Sequence, residues 1–258
     1  MQPQNSKRQD RYPYLDALRG LAALWVVMVH IAMLPYPRIP LSSWMDLFVV
    51  KGVMGVELFF VVSAFSLCLS MPSHGRDARP ILGFAIRRFF RIAPLFYLMI
   101  VFMSYRNISG VVIDWKSISL NILFLFNLVP GYQVSIVPAG WTIGVEMVFY
   151  LIFPVLYRYT QNIWLATAAV FVSLGIAQIF LMTINLFVSD PVTYHMFSIL
   201  YRAPIFMFGL VAFYALPLVE RLKDRRHIGY ALLASVPVLF LEFRTAMFRS
   251  LIYIIGKG

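Results

Sequence analysis

Apolar residues fall in long runs along this chain, and short polar stretches separate the runs. A helix needs about 20 apolar residues to cross the hydrocarbon core of a bilayer, so the pattern predicts an all-α fold, a polytopic transmembrane bundle of about 8–9 helices. A polar tail, residues 1–14, precedes a single transmembrane domain over 15–258. The predicted spans are 15–34, 47–70, 88–105, 117–130, 141–157, 163–188, 203–217 and 228–242, with a last apolar run at 246–255.

Basic residues predict the orientation of the bundle, because Lys and Arg concentrate in cytoplasmic loops. The N-terminal tail and the loops 71–91 and 218–227 are basic, so we expect all three in the cytoplasm and Pro35–Asp46 outside. Seven full spans before 218–227 would place that loop outside, which conflicts with its charge. Either 117–130, at about 14 residues, is too short to cross, or the charge rule fails at this loop.

Composition excludes a soluble globular enzyme. The 258 residues are 61% hydrophobic and 13% charged, whereas soluble domains average about 45–50% and about 25%. The 22 Lys and Arg exceed the 11 Asp and Glu, but basic loops account for this excess, and we expect no nucleic-acid partner. The single cysteine, Cys68, excludes an internal disulfide or a cysteine metal cluster, and no metal site is expected.

Ionisable side chains within spans are the first functional candidates, because hydrocarbon disfavours them unless they face a polar interior. The first span carries Asp16, Arg19 and His30. Around a helix, Arg19 and His30 lie about 20° apart and Asp16 and His30 about 40° apart, so the three share one stripe. Asp16 and Arg19 either support a polar site or form an interfacial pair that caps the helix end.

The histidines differ in what their surroundings indicate. Imidazole is the usual general base near pH 7, and for His30 we favour that role over a buried hydrogen-bonding role. The other histidines, among them His195, lie in polar or loop contexts and indicate no set of ligands.

Two glutamates stand in otherwise apolar segments. Glu57 lies among aromatic and aliphatic residues, where a carboxylate needs a proton or a cationic partner. It is either functional or one half of a structural ion pair with Arg19 or Lys51. Glu146 is the only charge in 117–157, and this isolation favours a functional role over pairing with an arginine on another helix.

Arg87, Arg88 and Arg91 stand at the start of the third predicted span. Spacings of three and four residues bring Arg91 next to the other two on a helix. The spacing alone favours a topological anchor that contacts lipid phosphates. The alternative is a clamp for a phosphorylated cytosolic ligand, because a guanidinium binds phosphate through two hydrogen bonds.

Four sequence blocks occur in order between residues 12 and 158. They are Tyr14-Leu-Asp16-Ala-Leu-Arg19-Gly20 with His30 eleven residues after the arginine, Gly55-Val-Glu57-Leu-Phe-Phe-Val-Val-Ser63, Arg87-Arg88-Phe-Phe-Arg91-Ile-Ala-Pro94, and Trp141-Thr-Ile-Gly-Val-Glu146-Met-Val-Phe-Tyr150. Each block is short, but together they resemble the membrane acyltransferase 3 family. Residues 202–209 resemble a later helix of that family more weakly.

Three features differ from the pattern of that family. Glu57 stands where the family usually has Asp, which preserves the charge. Ala64 follows Ser63 where the family usually has Gly, a modest change at a close-packed turn. The family core usually has more spans and more residues than this chain, so the resemblance implies either a short member or a truncated product.

The resemblance implies an enzyme that acylates envelope or exported glycans. An acyl-CoA, most often acetyl-CoA, would approach from the cytoplasm as co-substrate, with no permanently bound cofactor. Arg88 and Arg91, helped by Arg87, would bind its phosphates. His30 would act as general base on a sugar hydroxyl or as an acyl relay.

The same resemblance implies supporting roles for the remaining polar residues. Glu146 and Glu57 would orient the imidazole or hold an arginine such as Arg19, with Asp16 and Trp141 as structural support. Direct transfer and a covalent acyl intermediate both stay open.

Two other function classes compete with the acyltransferase hypothesis. A transporter or flippase for a glycan or lipid would also carry charges within its spans, but transporters favour internal repeats, and this sequence shows none. The second alternative is an inactive family member that lacks C-terminal spans. For the acyltransferase we expect a bacterial inner membrane location, a cytoplasmic N-terminus, and the bilayer, acyl-CoA and a glycan acceptor as partners.

Overall fold

The computed structural model describes residues 13–33, 39–74, 79–106 and 113–220, and within these ranges the protein is helical and contains no β-strand. The helices are α1 (Pro13–Met33), α2 (Ser43–Val50), α3 (Met54–His74), α4 (Pro80–Arg106), α5 (Trp115–Ile122), α6 (Trp141–Tyr159), α7 (Ile163–Ile184), α8 (Pro191–Met196) and α9 (Ile199–Glu220). One 3₁₀ turn, Lys51–Val53, precedes α3, and a second, Phe126–Leu128, follows α5.

Several of these helices have the length and composition of membrane spans. Within the described ranges there are five such segments, Tyr14–Ala32, Met54–Pro72, Trp141–Tyr159, Ile163–Ile184 and Pro191–Leu218. They confirm the predicted all-α membrane class, and the chain is an integral membrane protein. The predicted spans 228–242 and 246–255 lie outside the described residues, so the predicted total number of helices stays a prediction.

The predicted span 47–70 is wrong as one continuous helix. α2 ends at Val50, and α3 begins at Met54 after the 3₁₀ turn. Gly52 in this turn lies against α1, where a Cβ atom would approach the ring and the carbonyl oxygen of Trp25 to 2.7 Å. The glycine therefore lets the backbone of the 3₁₀ turn pack directly against α1, and this turn interrupts the helix between α2 and α3.

α4 begins at Pro80, well before the predicted start of its span at residue 88. Proline favours the first turn of a helix, because its missing N–H group has no helical partner there. The three arginines consequently lie inside a regular helix. Helical periodicity then decides which of them faces the bundle.

The predicted span 117–130 is a short helix followed by irregular backbone. α5 has 8 residues, and Asp114 caps it by accepting from the Ser117 N–H at 2.6 Å. The chain turns at Phe124, whose ring stacks on Phe96 midway along α4, and returns to the start of α6. We call residues 115–140 the re-entrant segment. Its short helix agrees with the alternative that this region does not cross the membrane.

Irregular backbone at membrane depth needs partners within the protein. The Asn121 Oδ1 atom accepts from the Ser135 hydroxyl at 2.7 Å and from the Ile136 N–H at 3.1 Å. The Tyr97 hydroxyl donates to the Ile122 carbonyl at 2.8 Å. Side chains thus replace the helical hydrogen bonds that the re-entrant segment lacks.

A tyrosine–aspartate contact joins the returning arm of the re-entrant segment to Asp114, the residue that caps α5. The Tyr132 hydroxyl donates to the Asp114 carboxylate at 3.1 Å, which raises the pKa of Tyr132. The Lys116 ammonium lies 4.7 Å from the centroid of the Tyr132 ring.

α1 and α3 pack antiparallel. A Cβ atom at Gly55 would lie 2.7 Å from the Ala22 carbonyl oxygen, whereas Arg19 reaches Ser66 further along α3. Backbone contact at Gly55 thus aligns the polar residues of the two helices.

The chain divides into two compact units, Met1–Phe213 and Tyr214–Gly258, and of the second only the end of α9 is described. The site described below lies within the first unit. The predicted single domain over 15–258 stays a prediction.

Candidate active site

Three serines form a polar stripe on the mainly apolar helix α3. Ser63, Ser66 and Ser70 are three and four residues apart, so their hydroxyls share one face. We call them the serine stripe. Each hydroxyl contacts an ionisable side chain from a different helix: Ser63 contacts Glu146 of α6, Ser66 contacts Arg19 of α1, and Ser70 contacts Arg88 of α4.

Glu146 accepts two hydrogen bonds from hydroxyl groups. The Ser63 hydroxyl donates to Glu146 Oε1 at 2.6 Å, and the Tyr150 hydroxyl, one turn further along α6, donates to the same oxygen. Hydrogen bonds to an ionised carboxylate are among the stronger ones in proteins. They hold the Glu146 side chain in one position between α3 and α6.

Arg88 is the arginine of the predicted cluster that faces the bundle. Its guanidinium donates to the Ser70 hydroxyl at 3.2 Å and lies 5.7 Å from the Phe84 ring centroid and 5.6 Å from that of Tyr150. Arg87 and Arg91 are exposed, because 100° steps around α4 turn them away from the buried side. The predicted clamp thus divides into one inward and two outward guanidinium groups.

Asp16 and Arg19 form an ion pair, with an Nη1–Oδ1 distance of 3.5 Å. Arg19 also donates through Nη2 to the Ser66 hydroxyl at 2.8 Å. Arg19 thus joins the pair to the serine stripe, and both alternatives for these two residues have a contact that supports them.

Glu57 forms a buried ion pair with Arg202. The Arg202 Nη1 atom lies 3.2 Å from Glu57 Oε1, and the exposed fractions of the two residues are 4% and 5%. The Arg202 guanidinium also donates to the Met196 carbonyl at 3.1 Å and lies 5.0 Å from the centroid of the Trp141 ring. The observed cationic partner of Glu57 is therefore Arg202, where the sequence predicted Arg19 or Lys51.

Sequence reasoning did not select Arg202 as a site residue. It is the only Lys or Arg in the apolar stretch 191–219. The rule that selected Glu146, an isolated charge in an apolar segment, would also have selected Arg202.

The polar or loop context expected for His195 is wrong. The imidazole lies on the short helix α8 and is buried. It packs against the rings of Phe180 and Tyr201 at centroid distances of 5.8 and 4.5 Å.

The His30 imidazole is held by its own helix. Its Nδ1 atom lies 2.7 Å from the Val26 carbonyl oxygen. A carbonyl only accepts, so Nδ1 carries a proton, and a ring with one proton has its lone pair at Nε2. This is the tautomer that a general base acting through Nε2 requires.

His30 lies apart from the contacts of the serine stripe. Because Gly55 packs at the level of Ala22 and Val26, His30 and Ser63 are about 20 Å apart along the antiparallel helices α1 and α3. The described hydrogen-bond partner of His30 is the Val26 carbonyl, not a glutamate. The structure therefore shows a line of polar side chains along α3, which we call the polar line. The Arg88 guanidinium lies towards one end of it, and the His30 imidazole lies beyond the other end.

Comparison with known families adds to this geometry. The sequence model of the acyltransferase 3 family, described as an acyltransferase domain, matches residues 12–254. The chain belongs to this family. The match confirms the resemblance carried by the four blocks, and it extends beyond them through α7 and α9.

Two named relatives match part of the chain. The peptidoglycan O-acetyltransferase OatA of Listeria monocytogenes serovar 1/2a (strain ATCC BAA-679 / EGD-e) is 28% identical over 169 residues, which cover 57% of this chain and 25% of the relative. The acyltransferase MdmB of Streptomyces mycarofaciens is 29% identical over 168 residues, 59% of this chain and 41% of the relative. The match thus spans less than half of each relative. No solved structure matches the chain.

Proposed function

We propose that the protein is an O-acyltransferase that moves an acyl group, acetyl in the simplest case, from acyl-CoA to a hydroxyl of an envelope or exported glycan. The observation that carries the proposal is the polar line through the bundle. Arg88 contacts Ser70, the serine stripe leads past Arg19 to Glu146, and His30 lies beyond with Nε2 as its acceptor nitrogen.

The separation within this line favours a donor that is itself long. Arg88 contacts Ser70, which lies even further from His30 than Ser63 does. A donor held by a phosphate at the inward guanidinium of Arg88 must therefore present its acyl group more than about 20 Å away. The pantetheine arm of CoA separates phosphates from thioester in this manner, and its amide groups would find hydroxyl partners along the serine stripe.

At the far end of the line, His30 would act as general base. Its Nε2 atom takes the proton of a sugar hydroxyl as the hydroxyl oxygen attacks the thioester carbonyl. The carbon–sulfur bond then breaks, and the departing CoA thiolate receives the proton from the imidazolium. The acetylated sugar and free CoA are the products. The Val26 carbonyl keeps the proton on Nδ1, so Nε2 is the atom that takes up and releases the reacting proton.

The acceptor class and the orientation belong to the same proposal. The Listeria relative is named for peptidoglycan, and a glycan outside the membrane would meet His30 at the outer end of α1. Phosphates at Arg88 would then come from the cytoplasm, in agreement with the basic residues at the start of α4. We place the protein in a bacterial inner membrane with its N-terminus in the cytoplasm.

Donor binding provides a direct test of this proposal. Replacing Arg88 and Arg91 together by Gln removes the inward guanidinium and the exposed positive charge beside it, and we expect acetyl-CoA to bind at least about tenfold more weakly. Arg158→Gln, an exposed arginine on α6, is the matched control and should leave affinity unchanged. If the double variant binds acetyl-CoA normally but inserts with inverted topology, the arginines are a topological anchor and the proposed donor site is wrong.

A further inference from the structure

A cavity opens between α4, α6 and the tip of the re-entrant segment. Its volume is about 420 Å³, which is within the range of small-molecule sites. Almost all of its wall is aliphatic or aromatic, with contributions from Phe89, Leu123, Met147 and Val148. Polar wall atoms come from Arg88 and the tyrosines, so the cavity fits a long apolar chain better than a sugar.

The mouth of this cavity faces the bilayer. Phe90 and Leu151 line it and are 66% and 70% exposed, on helices whose outward side chains are in contact with lipid in a membrane protein. A ligand therefore reaches the cavity laterally from the membrane.

The tip of the re-entrant segment closes one end of the cavity. Phe124 lines the wall and adopts φ +58°, a left-handed conformation that is unusual for an aromatic residue. Stacking on Phe96 and Tyr97, at centroid distances of 5.0 and 5.7 Å, holds the ring in place. The cavity end is thus built by a residue whose backbone is strained.

Arg88 gives this apolar cavity a positive charge. Its described contacts are a serine hydroxyl and two aromatic rings. Among the described residues, the Glu146 carboxylate interacts with it electrostatically but makes no ion-pair contact with it. A guanidinium beside hydrocarbon is costly unless an anion accompanies it. Basic pockets between membrane helices bind anionic lipid headgroups for this reason.

We infer that the cavity is a binding site for one anionic phospholipid, with an acyl chain along the apolar wall and the phosphate at Arg88. The lipid enters through the lateral mouth at Phe90 and Leu151. Because Arg88 is also the proposed contact of the donor phosphates, lipid phosphate and donor phosphate exclude each other at this guanidinium.

The test uses photoactivatable lipids and the full chain in nanodiscs of phosphatidylcholine. The probe is phosphatidylglycerol with a diazirine in one acyl chain, and the comparison is phosphatidylcholine with the same chain. We expect saturable cross-links on peptides that contain Phe90, Leu123 and Leu151. The phosphatidylglycerol probe should label these peptides about fivefold more strongly, because one cation near the surface favours an anionic lipid by this factor.

Two valine variants on α6 separate cavity binding from general contact with lipid. Val148→Trp fills the cavity wall and should abolish the saturable labelling. Val155→Trp, seven residues further along α6 and exposed outside the cavity, should leave it unchanged. The inference is overturned if both probes label equally, if unlabelled phosphatidylglycerol does not compete, or if folded Val148→Trp protein is labelled like wild type. The comparison of the two probes needs no variant, so it decides even if Val148→Trp does not fold.

Discussion

At the scale of single residues, the site depends on polar contacts between distant parts of the chain. Glu57 and Arg202 are 145 residues apart in sequence, and Ser63 and Glu146 are 83 apart. In an apolar bundle, each such contact joins two helices at one position, because an unpaired polar group there is unfavourable.

The first residue-scale prediction concerns the hydroxyl of Ser63. Ser63→Ala removes a hydrogen bond to a carboxylate, and we expect the free energy of unfolding to fall by about 1.5–3 kcal/mol. Ser173→Ala is the matched control, because the Ser173 hydroxyl bonds to the Val170 carbonyl of its own helix. Denaturant titration of the two variants measures the difference. Equal losses would show that Ser63 does not join α3 to α6.

The second residue-scale prediction concerns the buried ion pair. Arg202→Met leaves Glu57 without this cation, and we expect a loss of about 3–5 kcal/mol. Adding Glu57→Gln removes the remaining charge and should recover part of that loss. A double-mutant cycle of unfolding free energies measures the coupling, and additive losses would contradict a direct Glu57–Arg202 interaction.

Sequence reasoning at this scale identified charges but not their partners. An isolated glutamate in an apolar segment is visible without a structure, and Glu57 and Glu146 both proved to lie at helix contacts. Ser66 and Ser70 carry no charge and gave no comparable signal. The spacing grouped the three arginines into one cluster, and only the start and the position of α4 in the bundle decide that Arg88 is the inward one.

At the scale of elements, the re-entrant segment determines the shape of the site. It fills the space between α4 and α6 and closes the end of the lateral cavity. The length of 117–130 and the charge of loop 218–227 raised the alternative that this region does not cross, but the sequence left it undecided. The polar contacts that stabilise its backbone involve Asn121, Ser135 and Tyr97, which are ordinary residues in sequence and acquire their role through tertiary packing.

The element-scale prediction compares two glycines within helices. A Cβ atom at Gly144 would overlap Asn127 Oδ1 and lie 2.6 Å from the Phe126 ring. Gly144→Ala should therefore displace the re-entrant segment and destabilise the protein by about 1–3 kcal/mol. A Cβ at Gly175 meets nothing within 4 Å, so Gly175→Ala should stabilise by about 0.5–1 kcal/mol. Thermal unfolding of both variants measures the signs, and a neutral Gly144→Ala would contradict this packing.

At the scale of the whole molecule, the topology depends on whether the re-entrant segment crosses the membrane. If it does not cross, every later helix has the opposite orientation to the one it would have if 117–130 were a full span. If α1, α3, α4 and α6 cross and 115–140 does not, the α6–α7 turn at Gln161 is cytoplasmic and Ser189 is outside. If 117–130 crossed, the two positions would exchange sides.

Cysteine accessibility tests this topology. With Cys68, the only cysteine, replaced by Ala, we expect Ser189→Cys to react with a membrane-impermeant maleimide in spheroplasts. Gln161→Cys should react only after the membrane is opened. The opposite labelling would show that the re-entrant segment crosses or that the N-terminus is outside.

The measurement that tests the central claim most directly is the release of CoA from radiolabelled acetyl-CoA by the full chain in nanodiscs. A panel of envelope glycans is supplied as acceptors, and His30→Ala protein is measured in parallel. We predict glycan-dependent release by the wild-type chain, acetyl label on the glycan, and background rates for His30→Ala protein that still binds acetyl-CoA. Wild-type rates in His30→Ala protein would contradict the role of His30 as general base. Failure of the folded wild-type chain to bind acetyl-CoA would contradict the proposed acyltransferase function.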